Sequence, residues 1–439
     1  MSLGKREIRL WHFYYGWIIV GVAMVSMAFW FGIRATFSVF YVALLEEFSW
    51  SRGQAAGVQS MALITYTIMA PIAGGLIDRF GPRRIIVPGI LLLASGLILC
   101  SSIKTLGQFY LLYGVVVGIG VTSVAIVSYT AILAHWFEEK RGLANGLAVS
   151  GIGLGTFIFV PLSQYCISLW GWRLTFVILG GLVLIILLSL NALLLRHKPQ
   201  DLGLYPDGIK EGEQPKDGQP EVMDFAWSKT DWTLKSAFRT GRFWYLMIFP
   251  FLAAIAIYVI LVHHVRFLVD QGIDKTMAAF IFGSAGIISL AFRIFWGWLS
   301  DFIGREKTYT LGAVCVFLGI SSLILLEISG ERQLVYPFII LFGAGWGVTT
   351  PMFMSVAADL FQGRGFGLIY GILEGVIGIG GALGAWVPGF IFDKTQSYQW
   401  AFGLAAFMAI LSCLFVWLAA PRKVRGTRRK TKVMDKDSG

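Results

Sequence analysis

Apolar residues run along this chain in continuous blocks of roughly 20 or more, separated by short polar clusters. Twelve blocks can be drawn, at about 14–44, 53–77, 84–103, 107–134, 141–165, 173–196, 242–268, 276–300, 308–329, 333–360, 365–391 and 398–420. At 1.5 Å per residue, about 20 residues cross the roughly 30 Å of bilayer hydrocarbon. A segment in hydrocarbon must satisfy its own backbone hydrogen bonds, which leaves helices or a closed barrel. A barrel would need ten-residue segments of alternating polarity, and these blocks, rich in Leu, Ile, Gly and Ala, do not alternate. The pattern predicts an all-α membrane protein of twelve transmembrane helices.

Between the sixth and seventh blocks lies "RHKPQDLGLYPDGIKEGEQPKDGQPEVMDFAWSKTDW", polar and rich in Pro and Gly. It divides the chain into a six-helix half at 1–196, a cytoplasmic linker at 197–240, a second six-helix half at 241–420 and a basic cytoplasmic tail at 421–439. A short amphipathic helix is expected in the linker near Trp227–Trp232.

Composition agrees with the pattern. The 439 residues are 56% hydrophobic and 14% charged, against roughly 25% charged in a soluble domain. The net charge of +11 would suggest a nucleic-acid partner in a soluble protein. Here much of it sits in "PRKVRGTRRKTK", directly after the last apolar block, and reads as a tail against anionic lipid headgroups. The four cysteines, Cys100, Cys166, Cys315 and Cys413, lie in or beside apolar blocks without metal-ligand spacing; they read as packing residues, and no metal or cofactor is expected. The first block is too long for a secretory signal and is kept as a span. Arg79, Arg83, Arg84, Lys140, Arg141, Arg305, Lys307 and Arg364 fall in the loops after the second, fourth, eighth and tenth blocks, on the side of both basic termini. The positive-inside rule makes that side cytoplasmic, in a plasma (inner) membrane.

One of these loops is repeated. "GGLIDRFGPRR" at 74–84 returns as "GWLSDFIGREK" at 297–307: Gly74, Asp78, Gly81 and Arg84 fall on Gly297, Asp301, Gly304 and Lys307, an offset of 223 that also carries Arg141-Gly142 onto Arg364-Gly365. A repeated loop device in two parallel six-helix halves implies duplicated architecture and transport by rocking of the halves. An acid at the C-terminal end of a helix opposes the dipole unless bases accompany it. Asp78, Arg79, Arg83, Arg84, Arg141, Asp301, Arg305 and Arg364 are therefore expected to form a charge latch that closes the cytoplasmic side in one state.

The Gly-xxx-Asp-xx-Gly-xx-Arg/Lys loop resembles the cytoplasmic signature of the major facilitator superfamily. "WFEEKRGLANGLAVSG" at 136–151 is similar to the signature of its monocarboxylate transporter family: Trp136-Phe137, then Lys140-Arg141, then Ala144, Gly146, Ala148, Ser150 and Gly151, with Ser150 where the family has Ala. Small residues at this spacing let helices approach closely. The start of the first span, "FYYGWIIVG", has the Gly-Trp of the family's other signature without its acid, which favours a prokaryotic relative, with oxalate/formate exchangers as close cousins. The resemblance implies the major facilitator fold.

Charge inside a span is costly and marks function. Arg34 in the first span and Arg293 in the eighth both lean towards the midplane, because side chains tilt towards a helix N-terminus. A guanidinium grips a carboxylate with two parallel hydrogen bonds. The resemblance implies that Arg293 binds substrate. Four residues earlier, where the family has Asp, this chain has Ser289, so the residue that couples a proton must lie elsewhere. Glu374, a lone carboxylate among glycines in the eleventh span, and His263 are the proton-coupling candidates, imidazole titrating near physiological pH. His263 matches a His of bacterial relatives by resemblance only, and His264 is expected at the headgroup level. Tyr129, Asn145 and Tyr370 join Arg293, Arg34 and His263 as substrate-binding candidates; Tyr66 offers a further hydroxyl, while Phe353 and Trp346 are expected to wall an apolar side.

The function expected is secondary active transport of a small monocarboxylate of the L-lactate or pyruvate class, by proton symport and alternating access, with one chain as the working unit. Carboxylate exchange of the oxalate/formate type is the alternative, favoured if Arg34 faces the cavity. Drug or metabolite efflux is a third reading and would depend on Glu374. A membrane sensor would be expected to carry a folded signalling region larger than the roughly 40-residue linker. No nucleophile-plus-base set, metal cluster or phosphate loop supports an enzyme, and the glycines of "GIGIGG" lie inside a span.

Overall fold

The computed structural model describes residues 14–137, 140–208, 224, 226–227, 230–361 and 366–424, without the side chains of Asp78, Val127, Ala131 and Arg141. Every long element among them is a helix: α1 Gly16–Phe48, α2 Arg52–Phe80, α3 Pro82–Cys100, α4 Leu106–Trp136, α5 141–170, α6 172–194, α7 Gly241–Asp270, α8 Lys275–Ile303, α9 Arg305–Ser329, α10 Val335–Leu360, α11 Phe366–Thr395 and α12 Gln399–Ala419.

By length and hydropathy the described residues hold eleven candidate spans, because one helical stretch runs unbroken over 53 residues, Gly142–Leu194. Such a stretch would be about 80 Å long at 1.5 Å per residue, more than twice the hydrocarbon thickness. It is divided by Gly171, whose φ of 77° and ψ of 164° belong to a backbone region open essentially to glycine alone. α5 and α6 are therefore two spans, and the twelve-helix expectation holds.

The same backbone device explains the repeated loop. Gly81 lies at φ 83°, ψ 153° and Gly304 at φ 93°, ψ 159°, so one residue turns the chain from α2 into α3 and from α8 into α9. Other boundaries are set by caps that accept orphan N–H groups: Ser51 from Gln54 at α2, Thr240 from Phe243 at α7, and Asp274 from Thr276 and Met277 at α8. In the linker, Ala226 and Trp227 are helical, near where a short helix is expected, and a further single turn follows at Leu234–Ala237. Trp227 and Trp232 pack against each other, centroids 4.4 Å apart, and against Phe361 beyond α10.

The two halves meet through three helix pairs, α2 with α11, α5 with α8 and α1 with α7. Contact is confined to one end. On α2, a Cβ at Gly53 would meet the α11 backbone at Phe390 and one at Gly57 would meet Trp386; at Gly74 and Gly75 it would meet nothing within 4 Å. On α5, a Cβ at Gly153 would sit 2.5 Å from the Gly286 carbonyl of α8, while Gly142 and Gly146 have no neighbour within 4 Å. The halves close at the end opposite the basic loops and separate at the basic-loop end.

Candidate substrate site

Where the halves separate, a cavity opens between them. It encloses about 670 Å³ of space, its open mouth included. Trp30 and Phe31 of α1, Ile126 of α4 and Ile152 of α5 wall it from the first half. From the second half come Tyr258 of α7, Arg293 of α8, Trp346, Thr350 and Phe353 of α10, and Tyr370 and Glu374 of α11. A mainly apolar cleft with a few convergent polar groups is the usual form of a small-molecule site.

Arg293 is 6% exposed. Its Nη1 donates to the Thr350 hydroxyl at 2.6 Å, its guanidinium carbon lies 5.6 Å from the centre of the Trp346 ring, and its Nε has no partner. Among the described residues no carboxylate forms an ion pair with it. One turn earlier Ser289, at the position the resemblance gives to an Asp, is fully buried with its hydroxyl unpartnered. Each buried polar group without a partner costs about 1–3 kcal/mol, more where it is charged. The site therefore holds a buried cation satisfied only by one neutral oxygen.

Arg34 is differently engaged. Its Nη2 donates to the Tyr258 hydroxyl at 2.7 Å, across the two halves. It is caged by the rings of Trp30, Phe31, Tyr66 and Tyr258, at 5.1, 5.8, 5.2 and 5.8 Å, and is within electrostatic reach of Glu374. Glu374 accepts from the Tyr370 hydroxyl at 2.9 Å, one turn away on α11. Arg34, Tyr258, Glu374 and Tyr370 thus make one polar cluster from both halves, with Arg293 on another wall of the cavity.

Three expected binding residues lie elsewhere. Tyr129 is fully buried inside the first half, its hydroxyl donating to Asn191 at 2.6 Å, and Asn191 in turn reaches Ser26; it joins α4, α6 and α1. Asn145 lies on α5 two turns nearer the basic-loop end than Ile152 and is not among the residues that line the cavity, though its buried Oδ1 has no partner. His263 is fully buried in the closed end, its Nε2 2.7 Å from the Ala385 carbonyl. His264, expected among headgroups, is instead fully buried between Phe282 and Phe338, because α7 is a core helix of its half at that level.

The expected latch residues are also distributed differently. Arg305 bonds Asp301 at 3.0 Å, Asp359 at 3.1 Å and the Ser300 hydroxyl, all within the second half, so this cluster braces α8, α9 and α10 rather than joining the halves. Arg79, Arg83 and Arg84 are exposed. The side chains of Asp78 and Arg141, and Arg364 entirely, lie outside the described residues. The ion pairs that join the halves sit at the opposite end. Arg52 at the start of α2 bonds Asp270 at 2.5 Å and the Tyr398 hydroxyl at 3.0 Å, and lies 3.5 Å from the Phe392 ring centre. The Arg52 and Gly53 N–H groups donate to Asp393 at 2.9 and 2.8 Å, and Glu46 pairs with Lys275 at 2.5 Å. Sequence reading passed over these groups because mixed charge in a short loop gives no topological signal. The available signal was the spacing of Glu46 and Arg52 around a tight turn, answered by acids at the ends of α7 and α11.

Comparison with known proteins bears on this arrangement. A family model described as Major Facilitator Superfamily matches residues 18–370. Monocarboxylate transporter 13 of Bos taurus is 29% identical over 394 residues, covering 89% of this chain and 86% of its own length. Monocarboxylate transporter 2 of Homo sapiens is 26% identical, covering 95% of this chain and 90% of its own length. Among solved structures, a D-xylose–proton symporter superposes with a TM-score of 0.71 at 17% identity, covering 93% of this chain and 99% of that one. A bacterial homologue of the human lysosomal transporter Spinster, in an inward-facing and unoccupied conformation, gives 0.65 at 15% identity, covering 97% and 100%.

Proposed function

The chain belongs to the major facilitator superfamily, and from that premise we propose that it carries a small monocarboxylate, of the L-lactate or pyruvate class, by proton-coupled symport. That it is a membrane transporter and not an enzyme follows from its family and fold. The finer reading rests on one observation: a buried guanidinium, Arg293, lines the central cavity with a neutral hydroxyl as its hydrogen-bond partner and no carboxylate beside it. An anion is the missing partner, and a carboxylate can take two parallel hydrogen bonds from the fork. The names of the relatives point the same way.

Among the described residues that line the cavity, Arg293 is the one cation, and one cation argues for one carboxylate. Arg34 is already held by Tyr258 and offset by Glu374, which weighs against the dicarboxylate exchange that a second free guanidinium would favour. Glu374, bonded to Tyr370 beside Arg34, is the proton site in this reading. Protonation of Glu374 uncovers the charge of Arg34 within the cluster, so proton and anion binding favour each other. A lone anion moving into an inside-negative compartment works against about 2.3 kcal/mol per 100 mV, and a co-transported proton removes that term.

The same reading sets the protein in the plasma (inner) membrane with both termini cytoplasmic, from the basic loops. Its halves, 1–196 and 241–420, rock about the cavity, with one chain as the working unit in this reading.

Uptake of labelled L-lactate into proteoliposomes, with and without an inward proton gradient, tests this beside Arg293→Ala. Gradient-driven uptake that is lost in the variant is the expected result. Uptake indifferent to the gradient but driven by internal anion would replace symport by exchange, and no uptake of lactate or pyruvate under either condition would remove the substrate class.

A further inference from the structure

The closed end contains a hydrogen-bond chain that the transport reading does not use. It starts at Arg52 of α2, in the first half, whose Nη1 donates to the Tyr398 hydroxyl at 3.0 Å. Tyr398 precedes α12 in the second half. Its oxygen lies 3.4 Å from His263 Nδ1 on α7, and His263 Nε2 lies 2.7 Å from the carbonyl of Ala385 on α11.

Donor chemistry fixes the direction of every link. Guanidinium only donates and a backbone carbonyl only accepts. The imidazole therefore carries its proton on Nε2, facing Ala385, and presents the Nδ1 lone pair to Tyr398. The tyrosine's single proton fills that lone pair, leaving the phenolic oxygen to accept from Arg52. The chain runs Arg52 to Tyr398 to His263 to Ala385 and is satisfied only while His263 is neutral.

A second proton on the imidazole would go to Nδ1. An N–H would then point at the tyrosine oxygen, whose own proton would have to turn away, and a second cation would stand beside Arg52. The groups around His263 decide whether this is felt. Tyr41 of α1 lies edge-on at 5.5 Å and its hydroxyl is bonded to the Arg52 carbonyl. Arg52 and Asp393 are the charged groups tied into this chain, Arg52 bonded to Tyr398 and Asp393 accepting the Arg52 N–H. Arg266, one turn on along α7, is held by Asp270 at 2.9 Å and faces Glu46 at 3.7 Å. His264 turns to the other side, towards Phe282 and Phe338. Arg52 is the residue that gathers Asp270, Tyr398 and Asp393 across the interface, so loosening its seat loosens the closed end.

We propose that His263 is a proton-operated release for the end opposite the basic loops: a proton on Nδ1 takes away the acceptor of the Tyr398 hydroxyl, repels Arg52 and favours opening there. This is a different proton site from Glu374, and it does not depend on which anion is carried.

Electron–electron distance measurements on the full chain in lipid nanodiscs test it without any substrate. Spin labels at Ser102→Cys and Ser329→Cys, exposed positions beyond α3 and at the end of α9, report the gap on a background lacking the four native cysteines. Measurements stepped from about pH 8 down to about pH 4 cover the range over which a buried imidazole titrates. In the otherwise wild-type chain the open-to-closed ratio should rise on acidification by up to about tenfold per pH unit, the slope of one proton. His263→Gln keeps an N–H for Ala385 and cannot titrate, and should remove that dependence. Tyr398→Phe breaks the chain at its centre and should favour the open form at every pH. A wild-type distance distribution that does not change with pH would overturn the proposal whatever the variants do, and so would a His263→Gln protein that still opens on acidification. Loss of lactate uptake with this pH response intact would count against the transport reading alone.

Discussion

Arg34 of α1 and Tyr258 of α7 are joined by a 2.7 Å hydrogen bond that crosses between the two halves at the edge of the cavity. The bond ties up the Arg34 guanidinium and leaves Arg293 lining the cavity with no acid paired to it among the described residues. The predictions about binding follow from that division of labour.

Arg293→Lys should keep the positive charge and lose the fork. Hydrogen bonds to charged groups are worth about 1.5–3 kcal/mol, so the apparent KM for lactate should rise roughly tenfold to a hundredfold, and Arg293→Ala should transport less still. Tyr258→Phe, which removes a partner of Arg34 but touches no group of Arg293, should change KM by less than either. Initial rates over a range of substrate concentrations separate the three. A Lys variant as good as wild type would show that charge alone, without two-pronged geometry, holds the substrate.

Gly304→Ala should destabilise the protein by about 1–3 kcal/mol, the cost of holding a residue with a Cβ in a region that glycine alone enters readily. A Cβ at Gly304 adds backbone strain at φ 93°, while Gly297, seven residues earlier in the repeated loop, sits in the helix with nothing within 4 Å of an added Cβ. Gly297→Ala should therefore be neutral or slightly stabilising. Thermal unfolding followed in detergent compares the two, and equal melting temperatures would contradict the turn geometry.

These loops also show how far the sequence could be read. The offset of 223 between Asp78 and Asp301, with the glycines beside them, announced duplicated halves, and the block lengths gave twelve spans within a few residues of those observed. Arg293, Glu374, Tyr370, Phe353 and Trp346 were legible because charge, hydroxyl groups and aromatic rings stand out against an aliphatic span, and all five line the cavity. Tyr129 and His263 carry the same kind of signal, but helix rotation turns one towards Asn191 and the other towards Ala385. Rotation about a helix axis within a chain buried on most sides leaves no apolar period to read. The closed-end ion pairs were hidden for a different reason: Arg52, Asp270 and Asp393 read as ordinary charges at span ends until the fold brings three helix ends together.

Asp393→Ala should open the closed end. Its carboxylate accepts the first two N–H groups of α2 from across the interface, and removing a charged acceptor from half-buried donors costs about 1–3 kcal/mol. The closed-to-open ratio should fall roughly fivefold to a hundredfold, read by the same pair of spin labels at neutral pH. Lys275→Ala removes a far more exposed pair with Glu46 and should change the ratio little, since such surface pairs are worth about 0–1 kcal/mol. Equal effects of the two would mean that net charge at this end, rather than the capping of α2, holds it shut.

Glu374→Gln should separate proton coupling from substrate binding. Glutamine preserves the size of the side chain and an oxygen that can accept from Tyr370, but cannot take up a proton. With Glu374 replaced, Arg34 keeps its bond to Tyr258 and loses the opposing charge of the carboxylate, so the cavity gains one positive charge permanently. Lactate binding should persist, with an affinity equal to or tighter than that of wild type at alkaline pH, where Glu374 would carry its charge. The inward proton gradient should no longer accelerate uptake, while counterflow, in which internal unlabelled lactate exchanges for external label without net proton movement, should continue. Gradient-stimulated uptake that survives in Glu374→Gln would move the coupling proton to another group. Loss of both gradient-driven uptake and counterflow, in a variant that folds, would instead make the carboxylate part of the binding site itself.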